Sequence, residues 1–145
     1  MILSIVMPAF NESRTIHAIL NRVMEVQLIA GIQKQIIIVN DASTDDTETL
    51  VLDFASSHPE IDIIYKKHEV NQGKGAAIHT GIKLATGDYI IVQDADLEYD
   101  PEDYNDLLAP ILRGEADVVY GSRFITNKPR RVFNFHHYLA NIFLD

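Results

Sequence analysis

The chain has 145 residues, enough for one domain with its own core, and carries 12 basic against 21 acidic side chains, a net charge of −9. Hydrophobic residues make up 47% and charged residues 23%, both ordinary for a globular protein, and no apolar run approaches the ~20 residues of a membrane span. The absence of cysteine excludes a disulfide framework and thiol chemistry, and fits a reducing compartment.

The charge is unevenly placed. Residues 118–144 contain no Asp or Glu and four basic residues, Arg123, Lys128, Arg130 and Arg131, which leaves residues 1–117 with 8 basic and 20 acidic groups, a net of −12. An acidic body argues against nucleic acid as a partner. The basic end suggests something anionic nearby, phosphates or a membrane surface. Met1-Ile2-Leu3-Ser4 has no basic flank and runs straight into a strand pattern, so it does not read as a signal peptide. A cytoplasmic chain, peripheral at a membrane if anything, is the expectation.

In chain order, Ile2 to Met7 is a first strand, and Pro8 is expected to stop it. Residues 8–13 form a loop. Ile16, Ile19, Leu20, Val23 and Val26 recur at helical spacing, which predicts an amphipathic helix over about 14–28. Gln35-Ile36-Ile37-Ile38-Val39 has almost no polar alternation, as expected of a parallel strand covered on both faces. Residues 40–47, N-D-A-S-T-D-D-T, are dense in turn and cap residues and lead into a helix bearing Leu50, Val51 and Phe54, ended by His58-Pro59.

Ile61 to Tyr65 is a third strand. A polar loop, Asn71-Gln72-Gly73-Lys74-Gly75, precedes a helix whose face of small residues suits close packing on a sheet. After the turn Gly87-Asp88 comes Tyr89-Ile90-Ile91-Val92-Gln93, a buried strand pattern, and then Asp94-Ala95-Asp96-Leu97-Glu98. Asp100-Pro101-Glu102-Asp103 is a helix start, with an Asp cap, Pro at the first position and acids in the first turn. Asp117 to Tyr120 reads as a fifth strand, followed by Gly121-Ser122-Arg123-Phe124. Residues 132–144 read as a helix bearing Val132, Phe135, Leu139, Ile142 and Phe143, a face without an obvious partner. It is a candidate for self-association into a homo-oligomer, or for contact with a lipid surface through its basic and aromatic residues. The expected division is a main domain over 1–124 and, over 125–145, the start of a further region that continues in a longer protein.

Strands alternating with helices predict an α/β fold, a doubly wound and mostly parallel sheet. Three polar clusters, 8–13, 40–47 and 94–98, fall at the carboxyl ends of its strands, where such sheets bind ligands. If the backbone stays extended, Asp94, Asp96 and Glu98 point the same way. Their repulsion would be relieved by a hard divalent cation, Mg²⁺ or Mn²⁺. A solvated acidic turn capping the next helix explains the same residues, and the stretch alone leaves both readings open. The first strand lacks G-x-G-x-x-G, and N-Q-G-K-G lacks the P-loop pattern.

Five motifs taken together in order carry a resemblance: Ser4-Ile5-Val6-Met7-Pro8-Ala9-Phe10-Asn11-Glu12, Val39-Asn40-Asp41-Ala42-Ser43-Thr44-Asp45, Asn71-Gln72-Gly73-Lys74-Gly75-Ala76-Ala77, Asp94-Ala95-Asp96-Leu97-Glu98 and Gly121-Ser122-Arg123-Phe124. The chain resembles the family 2 glycosyltransferases of GT-A fold, and within them the polyprenyl-phosphate subgroup typified by dolichol-phosphate mannosyltransferase. The resemblance implies a metal-dependent, inverting transfer of a sugar from a UDP- or GDP-sugar to an acceptor, most simply a polyprenyl phosphate. It places Pro8, Phe10 and Glu12 against the nucleoside, although Phe10 read alone is a core aromatic and Glu12 a helix-start charge. It places Asp41 on the base or ribose, a role preferred here to the Asx turn or N-cap that the residue alone suggests. Lys74 and Ala95 also fall to the nucleotide by the resemblance. Lys74 at a helix N-terminus opposes the macrodipole unless an anion lies there. Asp94, Asp96 and Glu98 are implied metal ligands, with Asp96 the most direct. Arg123 is implied near the diphosphate or acceptor. Asp45 and Asp46 read as helix-start acids.

Two other classes compete. A nucleotide-binding fragment without turnover follows if the acceptor site lies beyond Asp145. A receiver-type signalling domain has similar length and sheet, but needs an acidic pair after the first strand and a lysine after the last, and this chain offers Glu12 and Arg123 there. The donor base, the sugar and the acceptor are not legible.

Overall fold

The computed structural model of the protein describes residues 1–119. Strands β1 (Ile2–Ala9), β2 (Gln33–Asn40), β3 (Asp62–Lys67) and β4 (Tyr89–Val92) form one sheet in the order β3-β2-β1-β4, with every neighbouring pair parallel. Helices α1 (Ile16–Glu25), α2 (Thr47–Ser57), α3 (Lys74–Leu84) and α4 (Tyr104–Leu112) fill the connections or follow the last strand. The pattern of Ile and Val in the strands explains the layers. β1 pairs Ile5 with Ile36 and Val6 with Ile37, so alternate residues of both strands face opposite sides together. Leu3, Ile5, Met7, Ile36 and Ile38 pack with Ile16, Ile19, Leu20 and Val23 of α1, Val51 and Phe54 of α2, and Leu108 of α4. Val6, Ile37 and Val39 pack on the other face with Ala77 of α3. Both faces of β1 and β2 are thus covered, as their continuous apolar runs predict.

Three details differ from the sequence expectation. β1 does not stop at Pro8 but continues to Ala9. The Gln93 amide donates to the Val6 carbonyl at 2.9 Å, whereas the Ala9 carbonyl accepts from Asp41 on the β2 side at 2.8 Å. Pro8 therefore turns its missing N–H toward the β4 side, past the last residue β4 pairs, and the ladder loses nothing. α1 ends at Glu25 because Val26 leaves in extended conformation to bury its side chain, and the Lys34 ammonium takes the Met24 carbonyl at 2.7 Å. Residues 117–119 form no strand, and Val118 is 63% exposed; they meet no pairing partner among the described residues. Tyr120, the Gly121–Phe124 motif and the helix expected at 132–144 lie outside the described residues.

The start of β4 is set by contact with β1. The Gly87 amide donates to Ser4 Oγ at 2.8 Å and the Asp88 amide to the Ile2 carbonyl at 2.8 Å. A Cβ on Gly87 would lie 2.7 Å from the Ile2 carbonyl oxygen and 2.9 Å from the Ser4 amide nitrogen, both backbone atoms that cannot yield without moving the strand. Gly87→Ala is expected to destabilise the fold by about 2 kcal/mol, the usual size of an overpacking penalty. Urea unfolding of the variant checks this, and an unchanged midpoint would contradict it.

Candidate functional site

β2 and β3 lie to one side of β1, and β4 lies on the other, so the chain reverses its winding beside β1. Ligands of open α/β sheets bind at such a point, beyond the carboxyl ends of the strands. A cavity of about 400 Å³ opens there, within the ~300–1,000 Å³ usual for small-molecule sites. Pro8 reaches it from the end of β1, Phe10 and Glu12 from the loop after β1, Asp41 from the end of β2, Lys74 from the start of α3, and Asp94, Ala95 and Asp96 from the loop after β4. Phe10 is 46% exposed at this cavity, so it is not the core aromatic that its neighbours in sequence suggest.

The polar segment 40–47 fastens the first loop. The amides of Asn11, Glu12 and Ser13 donate to Ser43 Oγ, Thr47 Oγ1 and Asp45 Oδ2 at 2.9, 3.0 and 3.2 Å, and Asn11 Oδ1 accepts from the Thr44 amide at 2.8 Å. Asp45 Oδ1 also accepts from the amide and hydroxyl of Thr47, which starts α2. Partial burial works against the Asp45 anion, but the Thr47 and Ser13 donors outweigh it and hold its pKa down to about 2.

Asp41 is 3% exposed. Its Oδ1 accepts from the Gln72 amide at 2.9 Å and meets His68 Nδ1 at 2.8 Å, while Oδ2 accepts from the Gly73 amide at 2.8 Å. Burial pushes its pKa up, but the Gln72, His68 and Gly73 contacts overcome that and leave it below the ordinary value. His68, buried at the end of β3, holds Thr80 Oγ1 through Nε2 at 2.9 Å. Gly73 takes φ 93° and ψ 162°, a conformation that only glycine adopts readily, and so turns the chain into α3 with Lys74 as its first residue. His68 carried no functional signal in the sequence, whereas Asn71, which lines the cavity, was legible only as part of the Asn71–Ala77 motif. A lone polar residue at a strand end looks like any solvated one until the fold buries it.

Residues 95–99 are bent, not extended, which corrects the route by which the acids meet. Asp94, Asp96 and Glu98 nevertheless bring carboxylate oxygens within 4.8 Å of one another. The Asp96 side chain accepts from the Glu98 amide at 3.1 Å, and Thr15 Oγ1 holds the Ala95 carbonyl at 2.8 Å. Lys74 Nζ lies 2.5 Å from Asp94 Oδ1, an ion pair without hydrogen-bond alignment, so this buried oxygen accepts no hydrogen bond among the described residues. Glu12 faces the same group. Burial raises its pKa, a bond from Thr15 opposes this, and the charges of Asp96, Asp94 and Asp45 raise it further. A buried carboxylate oxygen without a hydrogen bond, in a set of hard oxygen donors, fits a divalent cation such as Mg²⁺ or Mn²⁺. Arg123 lies outside the described residues.

The cavity thus lies at the switch point of a parallel α/β sheet, and the comparisons with known proteins give the family of the chain. The family model described as glycosyl transferase family 2 matches residues 4–143, and the chain belongs to that family. It is 35% identical over 100 residues to a poly-beta-1,6-N-acetyl-D-glucosamine synthase of Staphylococcus epidermidis, covering 69% of this chain and 23% of the relative. It is 30% identical over 122 residues to a dolichol-phosphate mannosyltransferase of Pyrococcus furiosus, covering 84% of this chain and 33% of the relative. The chain thus spans a third or less of the length of these curated relatives. Among solved structures, a mannosyltransferase of Pyrobaculum calidifontis in complex with GDP-Man and Mn²⁺ superposes with a TM-score of 0.65 at 27% identity, over 82% of this chain and 33% of that one. The fold is the GT-A glycosyltransferase fold.

The Asp45 pKa of about 2 lies below the ordinary 3.8, so its contribution to stability is present above about pH 4 and is lost as the pH falls toward 2. Asp45→Asn is expected to be less stable than the wild type at neutral pH, with the difference shrinking between pH 4 and 2. Urea midpoints across that range check the trend, and a constant difference would contradict it.

Proposed function

We propose that the chain binds a UDP- or GDP-sugar together with Mg²⁺ or Mn²⁺, and that the protein transfers the sugar, with inversion, to a polyprenyl phosphate. The observation that carries this reading is the meeting of the Asp94, Asp96 and Glu98 carboxylates, with Lys74 on Asp94, where Asp94, Asp96 and Lys74 line one cavity with Phe10 and Asp41. Family membership and the GDP-Man and Mn²⁺ held by the Pyrobaculum neighbour support the donor class. The likeness to a dolichol-phosphate mannosyltransferase supports the acceptor class.

In this reading Pro8, Phe10, Glu12 and Asp41 hold the nucleoside, with Ala95 closing the cavity beside it. Asp94, Asp96 and Glu98 hold the cation, which when bound offsets the charge that develops on the leaving diphosphate. Lys74 exchanges its contact with Asp94 for the diphosphate, helped by Arg123. The acceptor oxygen forms its bond to the anomeric carbon as the bond to the diphosphate oxygen breaks, and the electron pair leaves with the nucleoside diphosphate. A phosphate acceptor is already anionic at neutral pH, since its second pKa is about 6, and needs no strong general base. Residues 125–145 begin the acceptor-facing region, where the basic residues Lys128, Arg130 and Arg131 suit an anionic headgroup at a membrane surface. Among the described residues, no helix is long and apolar enough to cross a membrane.

Calorimetric titration with UDP, GDP and their sugar conjugates, in Mn²⁺ and in EDTA, tests the donor site. One base is expected to bind in Mn²⁺, and EDTA or Asp96→Ala is expected to weaken that binding at least about tenfold, as loss of a direct ligand requires. Nucleotide binding indifferent to both would overturn the metal-site reading. No nucleotide binding by the folded chain would overturn the donor site.

A further inference from the structure

The three carboxylates of the acidic loop repel one another at the separations observed, so the backbone beneath them must be held. Gln93, the residue just before them, is 1% exposed and does not line the cavity. Its side-chain amide nitrogen donates to the carbonyls of Asp94 at 3.2 Å and Tyr99 at 3.1 Å, the two ends of the bent segment. Its Oε1 accepts from the Tyr104 hydroxyl at 2.6 Å. Tyr104 opens α4 and is 2% exposed. Burial, and after it the charge of Asp100, raises the Tyr104 pKa, so the hydroxyl keeps its proton and remains a donor. The Gln93 backbone amide is anchored separately, on the Val6 carbonyl of β1 at 2.9 Å.

We infer that Gln93 and Tyr104 are positioning residues that close the loop 94–99 into the shape in which Asp94, Asp96 and Glu98 receive the divalent cation. The inference rests on the metal-site reading above. An amide fits the place because two carbonyls need a donor and the tyrosine hydroxyl needs an acceptor. Glutamate at 93 would satisfy Tyr104 but could not donate to the carbonyls, and it would add a fourth negative charge beneath the loop. A carboxylate set held in advance binds a cation without first overcoming its own repulsion. Orientation at one remove of this kind is typically worth 10–100-fold in metal affinity, roughly.

Tyr104→Phe removes one oxygen and keeps the ring, and Gln93→Met keeps the length of the side chain. Two measurements on the 145-residue chain separate a positioning role from a merely structural one: the Mn²⁺ dissociation constant, read as free Mn²⁺ by electron paramagnetic resonance with and without UDP or GDP, and amide hydrogen exchange of 94–99 in EDTA. Each variant is expected to bind Mn²⁺ about tenfold more weakly and to exchange faster in 94–99. The double variant is expected to be no worse than Gln93→Met alone, because both act through one contact. A folded Tyr104→Phe with a Mn²⁺ constant within about twofold of wild type and unchanged exchange would overturn the inference alone. A wild-type chain that binds no Mn²⁺ overturns the metal-site reading and this inference with it.

Discussion

A carboxylate taken out of water costs several kcal/mol unless its oxygens are hydrogen-bonded, by rough measure. Asp41 is buried at the end of a central strand, and the site is arranged around meeting that requirement. Its oxygens are taken up by the amides of Gln72 and Gly73 and by the His68 ring. To deliver those amides the chain must return from β3 across the top of the sheet and turn sharply at Gly73. That turn begins α3 and puts Lys74 at its first position, facing Asp94. One buried charge thus determines where the cation of the neighbouring group stands.

The same logic runs through the rest of the cavity. The amides of the first loop are taken up by Ser43, Asp45 and Thr47. The acidic loop would open under its own charge, and Thr15, Gln93 and Tyr104 hold it from beneath. Each loop that faces the cavity is held by side chains that do not all reach it. The charges that face the ligand are thereby held at separations they would not choose in water. Preorganisation of this kind is what allows a site to stabilise developing charge without rearranging at the moment of reaction.

Much of this was legible in the sequence. The β-branched runs at 36–39 and 89–92, the helical spacing from Ile16 to Val23 and the D-x-D after the last strand are local patterns that survive into the fold, although the run at 89–92 is a strand with Ile90 47% exposed and not the buried one its composition suggests. Pro8 misled because its effect depends on which side of the strand its missing N–H faces, and only the end of β4 at Val92 decides that. Phe10 reads as a core residue because burial is a property of the assembled sheet. Residues 117–119 look like a strand, but a strand needs a neighbour, and none pairs with them among the described residues.

By itself the sequence determined the element types, the parallel winding and the residue chemistry gathered at the strand ends, because these follow from side-chain period, cap chemistry and charge. Only the tertiary structure decided which residues share a cavity and which hold it open. His68 on Asp41, Lys74 on Asp94 and Tyr104 on Gln93 pair residues 27, 20 and 11 positions apart, and sequence spacing carries no signal for contacts made across a sheet. They exist because burial forces each polar group to find a partner, and the partner is whichever group the topology brings within reach.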